Sequence, residues 1–72
     1  MNWLECKIIE QRPGKVSGAP VIRGTRVRPD DILNNLDLRP EEIADDFDLR
    51  LEDVREVLAF YHMHQAALAS HP

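Results

Sequence analysis

The sequence predicts a mainly α fold: short amino-terminal β-strands or a hairpin, then a three-helix helix-turn-helix bundle of winged-helix or homeodomain-like type. Three observations predict it. Residues 6–28 alternate β-prone pairs with Pro and Gly breakers. After Val27 the apolar spacing changes to three and four. Two short helical stripes then precede a longer third one.

Ile8 and Ile9 stand before Pro13-Gly14, a turn signal, and Val16 follows it. Gly18-Ala19-Pro20 breaks the chain again before Val21-Ile22, and Thr25 to Val27 resumes a strand after Gly24. Pro20 donates no amide and disfavours a full central sheet. Pro29 suits a first helical position, with Asp30 and Asp31 in the first turn and Ile32, Leu33 and Leu36 as the inner stripe. Asp37 to Arg39 connects to a second helix from Pro40, whose Ile43, Ala44 and Phe47 face inward. Asp48 to Arg50 turns into the third helix, where Leu51, Val54, Val57, Leu58, Tyr61 and Leu68 form one stripe. Residues 1–72 are read as one domain, with an extended β arm over 1–28 and a helix-turn-helix bundle over 29–70. No repeat or linker interrupts it, and His71-Pro72 reads as a frayed end.

At 72 residues the core is small, and a chain of this size usually needs a staple. Cys6 is alone, so no internal disulfide forms, and it reads as a small buried hydrophobe in a strand. His62 and His64, two apart, diverge on a helix and do not converge on a metal. A second chain is the remaining stabiliser. It would sit on a second apolar stripe, Phe60, Met63 and Ala67, opposite the core stripe. Val57, Phe60, Tyr61, Met63 and Ala67 are therefore the expected protein-contact residues, in a homodimer or higher even oligomer and with a heterologous partner.

Through Asp30 six basic residues face three acidic ones, giving +3, while the remainder carries −7. A polyanion would prefer the amino-terminal part. Arg23, Arg26, Arg28, Arg39 and Arg50 are the nucleic-acid candidates, because a guanidinium fork donates in pairs to phosphate. The competing reading pairs the arm arginines with acidic helices of the same molecule, and weighs most on Arg26. Gly24 answers a backbone requirement and not a phosphate cradle. Glu52 and Asp53 in the first turn of helix three oppose conventional major-groove docking. Arg39 and Arg50 stand where Ser or Thr would cap a helix, a local misfit that points to use of both side chains by a ligand.

One Cys, three scattered His and adjacent acid pairs offer no nucleophile–base pair, so no enzyme, cofactor or small-molecule substrate is expected. Glu5 and Lys7 stand where a leader would be apolar, and no apolar run reaches the length of a membrane span. A cytoplasmic location is expected.

The run Ser17-Gly-Ala-Pro-Val-Ile-Arg-Gly-Thr-Arg-Val27, followed by Asp31-Ile-Leu33, Pro40-Glu-Glu-Ile43 and Leu51-Glu-Asp-Val54, resembles the domain-of-unknown-function 433 family over roughly residues 7–61. The resemblance implies a VapB-like type II antitoxin, with a helix-turn-helix body and a dimer. Such proteins bind and silence a PIN-like ribonuclease toxin and can repress their own operon at operator DNA. A stand-alone helix-turn-helix transcriptional regulator is the alternative. The chain departs from the family pattern at Arg28-Pro29-Asp30, at Asn34-Asn35-Leu36-Asp37 where a glycine turn is usual, and at Arg39 and Arg50 where Ser or Thr is usual.

Overall fold

The computed structural model describes residues 2–14 and 18–69, with side chains described as far as Gln65. Val16, the His71-Pro72 end and the side chains of Ala67 and Leu68 lie outside the described set. A 3₁₀ turn (Trp3–Glu5) leads to β1 (Ile9–Glu10) and β2 (Val21–Ile22); α1 (Pro29–Leu33), α2 (Pro40–Asp46) and α3 (Leu51–Ala69) follow. The strands are antiparallel, with Ile9 opposite Ile22 and Glu10 opposite Val21.

The ladder is short because breakers bound it. Pro20 has no amide to donate before β2. After Ile22 the chain turns: the Thr25 N–H donates to the Ile22 carbonyl at 2.9 Å, and the Ile22 N–H donates to the Val27 carbonyl at 2.9 Å. Gly24 sits at φ +73°, the positive value that the third position of a type II turn requires. The Thr25 hydroxyl donates to the Ile22 carbonyl (2.7 Å) and accepts from the Val27 N–H (3.1 Å). Thr25 to Val27 is therefore a hydrogen-bonded loop and not the expected strand.

A six-residue pattern starts every α-helix, which corrects the reading of the chain as free of repeats. Val27-Arg-Pro-Asp-Asp-Ile32, Leu38-Arg-Pro-Glu-Glu-Ile43 and Leu49-Arg-Leu-Glu-Asp-Val54 recur at 11-residue intervals. Ile32, Ile43 and Val54 are 0% exposed, and Val27, Leu38 and Leu49 are half-buried against the same core. A residue before the cap and one four positions inside the helix thus share the core, the arrangement of a hydrophobic staple. The Arg28 N–H donates to Asp31 Oδ2 at 3.0 Å, and the Arg39 N–H donates to Glu42 Oε1 at 3.3 Å. Each is one half of a capping box. An arginine side chain has no acceptor, so the reciprocal bond cannot form. Arg39→Ser completes the box at α2 and is expected to stabilise the fold by about 0.5–1 kcal/mol. Urea denaturation measures it, and a loss of stability would refute the capping assignment.

Between α2 and α3 the Leu49 N–H donates to the Ala44 carbonyl (2.8 Å) and the Asp48 N–H to the Asp45 carbonyl (3.3 Å). This is a Schellman closure, with Asp48 at φ +54° in the place glycine usually takes. The tight closure keeps the connection from α2 to α3 to four residues and leaves Leu49 packed against the core.

That core draws on both arm and helices: Cys6, Ile8, Ile9 and Ile22 meet Ile32, Ile43, Ala44, Val54 and Val57. Cys6 is buried as expected, but it caps the 3₁₀ turn instead of lying in a strand. Leu36, placed on the inner stripe by periodicity, is 45% exposed because α1 ends at Leu33 and Leu36 falls in the following turn. Val57 is 0% exposed, so it is a core residue and not a contact residue as expected. It lies three residues after Val54 on the same inward face of α3.

Candidate interaction surfaces

Arg23 directly follows β2, and its N–H donates to the Ile8 carbonyl at 2.9 Å. This fixes its backbone. Its guanidinium reaches Asp53 Oδ1 in the first turn of α3 at 3.5 Å. The Asp53 side chain is only 8% exposed and that of Arg23 52%. The intramolecular reading therefore holds for Arg23. Arg26 and Arg28 are exposed and form no ion pair among the described residues, with half-buried Val27 between them. The weighting between Arg23 and Arg26 is thus reversed, because the Gly24 turn carries the chain away from α3 after Arg23.

Burial of Asp53 also changes the electrostatics of the α3 start. Of the two carboxylates expected to oppose a nucleic acid, only Glu52 is exposed, and Arg50 Nη1 stands 3.8 Å from it. Arg39 Nε stands 3.8 Å from Glu41, whose carboxylate also takes Arg55 Nη2 at 3.5 Å. The bond from its own backbone amide, first, and then the two guanidiniums hold the Glu41 carboxyl below its ordinary value of 4.5. Pairs this exposed contribute little to stability.

Two of the five candidate arginines come together. Arg23 and Arg50 line one open cleft of about 450 Å³ with Arg12, Glu10, Asp48 and Asp53. Arg12 Nε lies 3.3 Å from Glu10 Oε2, the same oxygen that accepts the Gly24 N–H at 3.3 Å. Arg12 pairs with Glu10 and Arg23 with Asp53 inside the cleft, so a phosphate entering here would compete with two carboxylates already paired. Arg12 escapes a reading by periodicity; the signal for it is its place beside the Pro13-Gly14 turn that joins the strands. Arg28 lines a separate, smaller cleft with Trp3, Pro20 and Pro29, while Arg26 and Arg39 line neither.

The far half of α3 is different in kind. From Ala59 to Ala69 no Asp, Glu, Lys or Arg occurs. Phe60 is half-buried, its ring centroid 5.2 Å from Trp3 and 4.1 Å from His64. Phe60, one of the three residues of the expected second stripe, is thus covered from within the chain. Met63, one turn on, is 68% exposed, and Leu4 beside Trp3 is 46% exposed. Tyr61 is half-buried, and its hydroxyl accepts from Gln65 Nε2 at 2.6 Å. Trp3 escapes the periodicity reading because it precedes every regular element. Its local signal is Asn2, whose side chain accepts the Leu4 N–H at 3.0 Å and caps the 3₁₀ turn.

Among the described residues no three His, Cys, Asp or Glu side chains gather to hold a metal ion, and no helix is long and apolar enough to cross a membrane. The surface is instead rich in ion pairs, apart from the part of α3 beyond Leu58, which carries no Asp, Glu, Lys or Arg as far as Ala69. In comparisons with known proteins, the model of a family described as a protein of unknown function, DUF433, matches residues 9–61. No curated protein and no solved structure matches the chain.

Proposed function

The chain belongs to the DUF433 family, and from that premise we propose that it is a non-enzymatic antitoxin, binding and neutralising a PIN-like ribonuclease toxin. The observation that carries this reading is the far half of α3. It is a charge-free helical segment with Met63 68% exposed, on a chain whose remaining surface is rich in charge. A large apolar side chain this exposed, on a helical segment without charge, suits an anchor of a protein–protein contact. The ion-paired cleft supports the same reading, since its cations are already engaged with carboxylates.

A PIN-like nuclease gathers carboxylates around its metal, and a guanidinium can pair with such a group in two places. Arg26 and Arg28 suit that role better than Arg23, which Asp53 holds. Helix α3 supplies affinity and the arm reaches the acidic groups. Copies of the chain associating in even numbers, in a helix-turn-helix arrangement and in the cytoplasm, complete the proposal. A second reading, DNA-binding regulation, is favoured by one observation: Arg26, Arg28 and Arg39 are all exposed.

The test is co-expression with the product of the adjacent reading frame, co-purification, and an RNA-cleavage assay with and without this chain. A stable complex in which cleavage stops is expected. A chain that ignores that product, but binds its own upstream DNA with a steep salt dependence, would favour the regulator.

A further inference from the structure

The family match covers residues 9–61, so residues 2–8 and the end of α3 lie outside it. The amino-terminal flank packs against α3 as far as Phe60, two residues before the second flank begins. Trp3 packs at a tilt on Phe60, the His64 ring also lies against Phe60, and Lys7 Nζ reaches Glu56 Oε1 at 3.2 Å one turn earlier. Together with Arg23 on Asp53, these contacts fall at positions 53, 56 and 60 along one face of α3. The amino-terminal segment is therefore a strap laid along the helix, and its 3₁₀ turn carries Leu4 outward next to Trp3.

We infer that Leu4 and Met63, raised around the Trp3–Phe60 stack, form the surface by which this chain selects its own partner, a basic protein with an apolar recess. The inference rests on the antitoxin reading and deepens it. Charge decides the occupant. The chain carries −4 overall, with −7 beyond Asp30, so a second copy brings like charge against like. A protein that grips RNA needs a basic face to hold phosphates. Such a face complements the acidic side of α2 and α3 while its apolar recess receives the uncharged end. A selecting surface built outside the family-matched region lets one scaffold carry many partner specificities. The matched core would supply the fold, and the flanks the choice of partner.

The test uses the full chain and the product of the adjacent reading frame. Leu4→Gln and Met63→Gln replace exposed side chains, so both variants should keep the melting temperature of the native chain. Each is expected to weaken the complex by about tenfold, and the pair together by more. A native complex whose affinity is unchanged in the double variant would overturn the surface assignment and leave the antitoxin reading intact. A native chain that does not bind the product at all overturns that reading, and this inference with it. Light scattering decides the occupant. A native chain whose size in solution neither substitution changes, but whose complex is sensitive to both, supports the heterologous partner. A dimer that Met63→Gln dissolves, with the complex unaffected, assigns the surface to a second copy and overturns the inference.

Discussion

Arg23→Ala is expected to lower the melting temperature by about 8–16 °C, corresponding to about 2 kcal/mol in a domain of this size. The variant leaves the Asp53 carboxylate, 8% exposed, without its guanidinium. An unpaired buried charge is costly, and removing one partner of a buried pair commonly costs about 3–5 kcal/mol. Arg23 is itself half-exposed, and water screens the pair, so the smaller figure applies here. Two further measurements separate this account from simple loss of packing. Asp53→Asn in the Arg23→Ala background removes the stranded charge and is expected to recover part of the loss. Arg23→Lys keeps a cation but not the fork, and should fall between the native chain and the alanine variant. If Arg23→Ala is as stable as the native chain, the ion pair is incidental, and Arg23 returns to the list of ligand-binding arginines.

The arginines show which parts of the molecule were legible in the sequence. Helix positions were, because Pro29, Pro40 and the acids after them announce helix starts and the apolar spacing then fixes the inner face. The two short strands were legible as well, from turn signals beside the β-prone pairs Ile8-Ile9 and Val21-Ile22, but the register that sets Ile9 opposite Ile22 was not. Partners across the chain were not legible. Whether Arg23 or Arg26 faces Asp53 depends on a single turn at Gly24, and periodicity ends where a turn begins. Leu36 failed for the same reason: a stripe extrapolated past Leu33 assigns a face to a residue no longer on a helix. A helical wheel places Phe60 and Met63 on the outer stripe of α3, but it cannot say what covers them. Trp3, lying 57 positions away in the chain, covers Phe60, and nothing local links the two.

That cover changes what a substitution at Phe60 measures. Phe60→Ala is expected to cost about 2–3 kcal/mol, somewhat less than the full truncation of a buried phenylalanine, because the ring is only half-buried. The loss should be independent of protein concentration, since the contacts removed are Trp3 and His64 of the same molecule. Trp3 is the sole tryptophan, so its fluorescence reports directly on whether the strap stays seated. A double-mutant cycle with Trp3→Ala is expected to give a coupling of about 0.5–1.5 kcal/mol, the range for a favourable aromatic pair. A melting temperature that rises with native-chain concentration, and loses that dependence in Phe60→Ala, would make Phe60 an intermolecular contact instead. The distinction matters for every binding experiment at this end of α3. A polar group at Phe60 would unseat the strap and weaken any complex indirectly. Substitution at Met63, 68% exposed on the next turn, alters the outer surface while leaving the stack in place.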